Sequence, residues 1–308
     1  MQSMLTRRGF SAMFGALLAG GMMVRPGFSL AASGTAAGTA DSAADELAAR
    51  MAGVEKRLGG RVGVAILDTE TGRRWNRRAD ERFPMCSTFK LLACATVLAR
   101  VDGGQENLGR RIRFQARDIV AHSPVTKDRV GGDGMTLAEL CEATMTLSDN
   151  TAANLILDSF GGPSGVTGFA RSLGDSMTRL DGWETDLNDA TPGDPRNTTT
   201  PAAMMESLRS LVLGDRLSPR SRDQLVAWMV ANKTGNAKLR AGLPKDWRIG
   251  DKTGAGNHGS TNDVAVIWPT GRKPVFVSVY MTETTASFND CNVGFADIGR
   301  ALRTVLAA

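Results

Sequence analysis

The segment Trp247 to Tyr280, WRIGDKTGAGNHGSTNDVAVIWPTGRKPVFVSVY, contains three strand-like runs separated by turns rich in Gly and Pro. The runs cover 247–254, 262–268 and 275–280, and the last two are dominated by β-branched and aromatic residues. A similar strand, 61–67, lies near the other end of the chain, and a return strand begins at residue 73. Strands at both ends predict one sheet assembled from distant parts of the chain.

The residues between these strands have helical periodicity. Apolar residues recur at helical spacing over 87–101, 136–146, 150–160, 164–173, 201–213 and 219–231. Further helices are predicted over 45–58 and 293–307, whereas the small and polar residues 33–45 predict an irregular tether. We therefore expect a discontinuous α/β lobe, about 45–80 and 231–308, with an inserted all-α lobe at about 81–230. A functional site is expected in the cleft between the lobes.

The first 32 residues have the pattern of an export signal. Arg7 and Arg8 precede an apolar stretch, 12–24, and small residues follow over 28–32. Paired arginines followed by Phe10 resemble a twin-arginine signal. The apolar run is too short and too rich in Gly for a membrane anchor. We expect residues 33–308 to be exported to the periplasm, without stable membrane association.

Composition excludes several classes of protein. The chain has 308 residues and a formal charge of +5, which becomes +2 without the three arginines of the signal. No Lys/Arg-rich run is present, so nucleic-acid binding is disfavoured. The two histidines, His122 and His258, and the absence of a CxxC pair argue against a zinc site or a Ser-His-Asp triad. We expect a monomer without metal or cofactor, in which any catalytic base is not histidine.

The first candidate catalytic motif is Ser87-Thr88-Phe89-Lys90, which opens an apolar helix. Ser87 and Lys90 are three residues apart and therefore share a helix face. A serine hydroxyl needs a nearby proton acceptor to act as a nucleophile, and a buried lysine in its neutral form can serve. By itself, the same pattern also fits a helix N-cap serine with a surface lysine.

The second motif is Ser148-Asp149-Asn150, in a short break between two helical patterns. Ser148 can relay a proton to a leaving nitrogen, and Asn150 can hold a substrate amide. The alternative is an ordinary helix N-cap, because Ser, Asp and Asn all favour that position.

The third motif is Lys252-Thr253-Gly254, at the end of a predicted strand. Lys252 and Thr253 can bind a substrate carboxylate, and Gly254 would let the substrate backbone approach the strand closely. The N–H groups of Ala255 and Ser87 could together stabilise an oxyanion. The alternative is a lysine of an edge strand beside a turn.

The three motifs in this order match S-x-x-K, S-D-N and K-T-G, and the chain from about residue 45 onward resembles the class A β-lactamases. This resemblance implies an antiparallel five-stranded sheet flanked by helices, as in β-lactamases and transpeptidases. It also implies hydrolysis of the β-lactam ring of penicillins and cephalosporins through an acyl-enzyme on Ser87, and hence antibiotic resistance. Cell-wall transpeptidases and β-lactam sensors share the three motifs and remain alternatives.

Residues 179–188, RLDGWETDLN, resemble the Ω-loop of this family. The resemblance places Glu184 and Asn188 on the hydrolytic water, with Glu184 as its general base. Transpeptidases do not need this pair, so it favours a hydrolase, although an acidic surface loop would have a similar sequence. Whether Lys90 or Glu184 accepts the proton of Ser87 in acylation stays open.

Several positions depart from the family pattern. Gly182 and Asn197 stand where an Arg–Asp ion pair often braces the Ω-loop, so a looser loop is expected. Thr261 replaces an Arg that binds the substrate carboxylate, and Lys238 is either its substitute or an ordinary surface lysine. His122 occupies an aromatic position at the cleft mouth, where it would stack on substrate.

The resemblance also bears on the cysteines. Cys94 and Cys141 occupy positions that form a disulfide in some class A enzymes, which predicts that bond here. Cys86 forms a disulfide in the family's carbapenemases, but the partner position holds Gly256, so carbapenem hydrolysis is not expected. Cys291 is expected to be a buried free thiol.

Overall fold

The computed structural model describes residues 34–307, so the predicted signal segment 1–32 lies outside the described residues. In chain order its strands are β1 (Arg61–Asp68), β2 (Arg74–Arg77), β3 (Phe83–Pro84), β4 (Arg111–Ile112), β5 (Met135–Thr136), β6 (Thr198–Thr199), β7 (Arg248–Ala255), β8 (Thr261–Trp268) and β9 (Val275–Thr282). Five of them form an antiparallel sheet in the order β2-β1-β9-β8-β7. The predicted five-stranded sheet from both ends of the chain is confirmed.

The helices complete a two-lobe fold. They are α1 (Gly34–Leu58), α2 (Phe89–Asp102), α3 (Leu137–Thr146), α4 (Asn150–Asp158), α5 (Pro163–Ser172), α6 (Pro201–Leu213), α7 (Pro219–Val230), α8 (Leu239–Gly242) and α9 (Phe288–Ala307). Helices α2 to α7 lie in sequence between β2 and β7, as the helical periodicity predicts. Within residues 34–307, none of the helices has the length and apolarity needed to cross a bilayer.

Strand β9 is buried on both faces because its alternate side chains enter two different cores. Val275, Val277 and Val279 pack in a core with α1 and α9. Phe276 and Tyr280 point the other way, into a core shared with the helical lobe. The sheet therefore forms a fixed wall between two apolar layers, and its edge strand β7 supplies one side of the site.

Helix α2 runs through the middle of the helical lobe. Every residue from Phe89 to Leu98 is buried, and α2 packs against α3, α4, α5 and α7. A helix buried on all sides is held by its neighbours in every direction. The one-turn 3₁₀ helix Cys86–Thr88 leads directly into α2, so Ser87 and Lys90 stand on a rigid support.

Two predictions about local structure are wrong. Residues 33–45 were expected to be irregular, but α1 begins at Gly34, and the many alanines of this segment explain a helix because alanine has the highest helix propensity. The predicted disulfide is absent, since Cys94 and Cys141 are both free and buried. The Cys94 thiol points at the carbonyl oxygen of Cys141, 3.8 Å away. Burial raises the pKa of Cys141, which favours the protonated thiol.

Candidate active site

Ser87, Lys90 and Glu184 meet at one carboxylate oxygen. The Ser87 hydroxyl donates a hydrogen bond to Glu184 Oε1 over 3.1 Å. Lys90 Nζ lies 3.0 Å from the same oxygen, and neither charged side chain is exposed to solvent. The acidic-surface-loop alternative for Glu184 is therefore wrong, and so is the surface-lysine alternative for Lys90.

The Lys90 ammonium also contacts the second motif. It donates to the carbonyl of Ser148 over 2.9 Å and to Asn150 Oδ1 over 2.6 Å, and Ser148 Oγ lies 3.3 Å away. Burial lowers the pKa of Lys90, although the nearby charge of Glu184 opposes this shift. Lys90 therefore loses a proton more readily than a lysine in water.

Ser148 stands between two lysines and is not a helix cap. The N-cap of α4 is Asp149, whose carboxylate accepts the N–H of Ala152. Ser148 itself has a φ of +58°, a left-handed conformation that is strained for serine. Its hydroxyl oxygen lies 3.2 Å from Lys252 Nζ and 3.3 Å from Lys90 Nζ. The motif thus places the hydroxyl of Ser148 between two ammonium groups.

Gly254 permits a close approach of β7 to the segment that carries Ser87. A Cβ at residue 254 would lie 2.8 Å from the carbonyl oxygen of Met85 and 3.1 Å from the amide nitrogen of Ser87. The protein's own backbone therefore already requires a glycine here, and the approach of a substrate backbone stays a prediction. The end of β7, with Ala255, therefore lies beside the nucleophile.

We expect Gly254→Ala to lower kcat/KM by ~10–100-fold, because displacing β7 by even 1 Å misplaces the groups around Ser87. The melting temperature should fall with it. The matched control is Gly168→Ala on α5, where a Cβ would meet nothing within 4 Å. Steady-state kinetics with a penicillin, the substrate that the family resemblance implies, check this, and equal activity of both variants would contradict the packing argument.

Lys252 is buried rather than an edge-strand surface lysine. Its ammonium donates to the carbonyl of Thr253 over 2.8 Å. Burial and the positive charge of Lys90 together lower the pKa of Lys252 to about 7. The hydroxyl of Thr253 hydrogen-bonds that of Thr234, a residue that the sequence did not single out.

The lowered pKa of Lys252 predicts that activity is lost as the pH rises. Lys252 is cationic below its pKa of about 7 and neutral above it, so kcat/KM for a carboxylate-bearing penicillin should fall as the pH rises through 7. The charged hydrogen bond that is lost corresponds to roughly 10–100-fold. Lys252→Arg keeps its charge at every pH used, so this loss should disappear. Identical pH profiles for the wild type and Lys252→Arg would refute the assignment of this alkaline loss to Lys252.

Glu184 is held at its main chain as well as at its carboxylate. Asn154 on α4 accepts the N–H of Glu184 over 2.9 Å and donates to its carbonyl over 2.8 Å. Asn188 Nδ2 donates to Glu184 Oε2 over 2.5 Å. Asn188 Oδ1 is buried and has no hydrogen-bond partner within the described part of the chain. Asn154 was not predicted, although its position four residues after Asn150 puts both on one helix face.

Lys238 lies inside the protein, so its surface-lysine alternative is wrong. It is 2% exposed, and its ammonium donates to Thr261 Oγ1. The ring centroids of Phe295 and Phe288 lie 4.0 and 5.1 Å from Nζ. Burial lowers the pKa of Lys238 to about 8. Thr261 Oγ1 in turn donates to the carbonyl of Gly254 on β7 over 3.4 Å, so the Lys238 ammonium lies behind the end of this strand.

His122 and Cys86 are neighbours of the catalytic residues, and His122 is bonded to Asn150 through its main chain. His122 is exposed, and its carbonyl accepts the N–H of Asn150 over 3.0 Å. Cys86 is a buried free thiol, and a Cβ on Gly256 would lie 2.8 Å from its sulfur. The expectation for Cys291 is confirmed, since it is free and buried. Across residues 34–307 there is no group of three or more His, Cys, Asp or Glu side chains that could hold a metal ion.

Comparison with known proteins assigns this fold and site to one class of enzyme. The chain belongs to the beta-lactamase enzyme family, whose model matches residues 44–306, and within it to the class A serine β-lactamases. It is therefore a hydrolase of β-lactams that confers antibiotic resistance, as the three motifs predict.

Individual relatives cover most of the chain. Beta-lactamase AER-1 of Aeromonas hydrophila is 46% identical over 253 residues, which are 82% of this chain and 83% of that protein. The solved structure of an ancestral (GNCA) class A β-lactamase is 62% identical, with a TM-score of 0.82, and the match covers 83% of this chain and 98% of that one. The putative class A β-lactamase PenP from Rhodopseudomonas palustris is 57% identical with a TM-score of 0.81, over 85% of this chain and 98% of that one.

Proposed function

We propose that this enzyme hydrolyses penicillins and cephalosporins through an acyl-enzyme on Ser87, which a water activated by Glu184 then releases. The observation that carries the proposal is the position of the Glu184 carboxylate. Its Oε1 accepts from Ser87 Oγ over 3.1 Å, and its Oε2 accepts from Asn188 over 2.5 Å. One base therefore reaches both the nucleophile and the amide that would orient a water.

In acylation, Ser87 Oγ attacks the lactam carbonyl and loses its proton. The direct contact with Glu184 supports this carboxylate as the first acceptor, and Lys90 shares the same oxygen over 3.0 Å. The oxyanion that forms is stabilised by the N–H groups of Ser87 and Ala255. One such donor typically contributes ~10²–10³ in rate.

Ser148 then protonates the lactam nitrogen as the C–N bond of the ring breaks. Ser148 regains a proton from the Lys90 ammonium, which in turn takes the proton that Glu184 received from Ser87, so Glu184 is again a base for deacylation. A hydroxyl oxygen has two lone pairs and one hydrogen. Two ammonium groups, those of Lys90 and Lys252, lie within hydrogen-bond distance of Ser148 Oγ, at 3.3 and 3.2 Å. An ammonium group has no lone pair to accept with, so the hydrogen of Ser148 Oγ cannot be bonded to either lysine in its charged form and is free to point elsewhere. This arrangement supports Ser148 as a proton donor to the substrate.

Deacylation uses the side of the Glu184 carboxylate that faces Asn188. A water between Glu184 and Asn188 attacks the ester carbonyl, Glu184 takes its proton, and the Ser87 oxygen leaves and is reprotonated. The buried Oδ1 of Asn188, which has no partner within the described residues, is a suitable acceptor for that water.

Substrate binding relies on charge and on one amide. Lys252 and Thr253 bind the substrate carboxylate, while Asn150 holds the side-chain amide. Lys238 adds positive charge behind Thr261, which supports anion binding at the end of β7. His122, exposed beside the Asn150 segment, stacks on the substrate.

The test of this function measures substrate turnover and the intact mass of the protein in the same reaction. Purified enzyme is mixed with benzylpenicillin, and lactam loss and intact mass are followed together. Many turnovers with little standing adduct are expected, and acid quenching at early times should trap a small adduct that peptide mapping places on Ser87. A stoichiometric, long-lived adduct without turnover would instead indicate a penicillin target or sensor.

We also propose that the chain works as a periplasmic monomer after removal of residues 1–32. The support is the paired arginines, Arg7 and Arg8, ahead of the short apolar stretch. N-terminal sequencing and light scattering of the periplasmic protein check both points.

A further inference from the structure

Asn262 joins the central sheet to the segment that precedes the nucleophile. It is the second residue of β8 and is fully buried. Its amide nitrogen donates to the carbonyl of Pro84 and to the carbonyl of Met85, each over 2.9 Å. Both neighbours are carbonyl oxygens, which can only accept, so the nitrogen of the amide must face them. Two consecutive carbonyl groups are therefore held by the two hydrogens of one side chain.

The amide of Asn262 provides these two donors and makes no other bond. Its oxygen, Oδ1, is buried and has no hydrogen-bond partner among residues 34–307. A buried polar atom without a partner lowers stability. The next residues on the same side of β8, Val264 and Val266, are apolar members of the core. Core stability alone would therefore favour an apolar side chain at 262, and the two donated bonds are what an asparagine adds.

The same residue is fixed to both segments that carry the expected oxyanion donors. In the sheet, Asn262 pairs with Gly254 on β7, and Ala255 is the next residue. Its amide holds Met85, which precedes Ser87 by two residues. A Cβ at residue 254 would lie 3.1 Å from the amide nitrogen of Ser87 and 3.2 Å from Asn262 Nδ2. Asn262 therefore lies where the segments that carry the N–H groups of Ser87 and Ala255 meet.

The segment before Ser87 needs this hold because its backbone is strained. Cys86 has a φ of +44°, in the left-handed region that cysteine rarely adopts. A strained residue keeps such a conformation only when the surrounding structure fixes it. The two bonds from Asn262 fix the carbonyls that precede Cys86. The hydroxyl of Thr88, on the other side of Cys86, also donates to the carbonyl of Met85, over 2.8 Å.

We propose that Asn262 is a positioning residue that sets the separation of the N–H groups of Ser87 and Ala255, and so how strongly they stabilise the oxyanion. The proposal rests on the function proposed above, because it assumes acylation and deacylation at Ser87. Each of these steps passes through a tetrahedral oxyanion, so Asn262 acts on both. This separates its role from that of Asn188, which orients a water in deacylation alone.

The experiment uses Asn262→Leu, which keeps the branched shape of the side chain and removes both donors. A methyl group cannot approach a carbonyl oxygen to 2.9 Å, so Met85 and Ser87 should move away from β7. With benzylpenicillin, kcat should fall ~10–100-fold, because a displacement of up to about 1 Å slows a positioned reaction by this factor. KM should change by less than about threefold, since both chemical steps slow together and ground-state binding is untouched.

A spectroscopic readout separates positioning from a loss of folded protein. Glu184→Ala is expected to hold the acyl-enzyme, and a penicillin with an isotopic label at the lactam carbonyl carbon isolates the stretching band of its ester in infrared difference spectra. Hydrogen bonds polarise a carbonyl group and lower its stretching frequency. When Asn262→Leu is added to Glu184→Ala, the band should therefore move to a higher frequency than in Glu184→Ala alone.

The matched control is Val266→Ala, on the same side of β8 as Asn262. It pairs with Gly250, four residues before Gly254 and away from the nucleophile. The loss of buried volume should lower the melting temperature, yet kcat and the ester band should stay as they are without this change. If Asn262→Leu does not fold, Asn262→Ala takes its place with the same expected fall in kcat, because it also removes both donors.

The positioning role is overturned if Asn262→Leu, or Asn262→Ala in its place, keeps the wild-type kcat or slows deacylation alone, so that adduct accumulates. An unshifted ester band, or an equal loss of kcat in Val266→Ala, would also overturn it. Glu184→Ala by itself tests the proposed function separately. If it forms no adduct, that function fails, and the kcat and KM of Asn262→Leu then decide the positioning role on their own.

Discussion

Glu184→Ala is expected to stop at the acyl-enzyme, so that benzylpenicillin leaves a stable adduct on Ser87 instead of being turned over. The variant loses the base that accepts from Ser87 over 3.1 Å and from Asn188 over 2.5 Å. General-base catalysis of this kind contributes ~10²–10⁴-fold, so deacylation should slow by that factor. Intact mass against time gives the lifetime of the adduct directly.

The rate at which this adduct forms shows whether Glu184 or Lys90 accepts the proton of Ser87 in acylation. If Glu184 is the first proton acceptor in acylation, Glu184→Ala should also acylate more slowly than the wild type. If Lys90 is the acceptor, acylation should be nearly unchanged. Glu142→Ala on α3 removes an exposed carboxylate and serves as the control, with wild-type kinetics expected. Normal turnover by Glu184→Ala, without adduct, would refute its role as the base.

Ser87→Ala should have the largest effect on activity. Removing the nucleophile of a serine hydrolase typically lowers kcat by ~10⁴–10⁶-fold, and no covalent adduct can form at that position. Ser87 is buried, at 8% exposure, but the alanine fits the same space. The fold should survive, because the hydrogen bond to Glu184 that is lost contributes only about 1 kcal/mol net.

Three measurements check the Ser87 variant: hydrolysis rate, adduct mass and thermal unfolding. Ser172→Ala, at an exposed serine near the end of α5, controls for the loss of a hydroxyl and should behave as the wild type. Hydrolysis above about 1% of the wild-type rate, or an adduct on another residue, would show that a different nucleophile operates.

The site could be predicted closely from local sequence because each motif is rigid over a few residues. Three-residue spacing on a helix places Ser87 and Lys90 on one face, and both reach Glu184. The strand pattern after residue 247 correctly predicts the sheet, since alternation and turn residues are local properties. The resemblance to a family then supplies the long-range pairing of these motifs.

Other features depend on contacts between distant segments and could not be predicted. No local signal shows that a Cβ on Gly254 would strike the carbonyl of Met85, more than 160 residues away in sequence. Whether Lys238 is buried or exposed depends on Phe288 and Phe295, which only packing of α9 brings to it. The spacing of Cys94 and Cys141 likewise does not specify that both are free thiols in the folded chain.

The sequence by itself determined the order of most elements, because hydrophobic periodicity is a property of neighbouring residues. Its resemblance to a family indicated the class of enzyme and the residues that meet at Glu184. Only the tertiary structure decided how Glu184 is aligned. The absence of an ion pair at Gly182 and Asn197 indicated a loose loop, whereas the folded chain uses the oxygen of Asn197 to accept two backbone N–H groups. The donors are main-chain N–H groups that every residue possesses, so the Asn197 side chain can accept from them only where the fold brings residues 181 and 182 beside it.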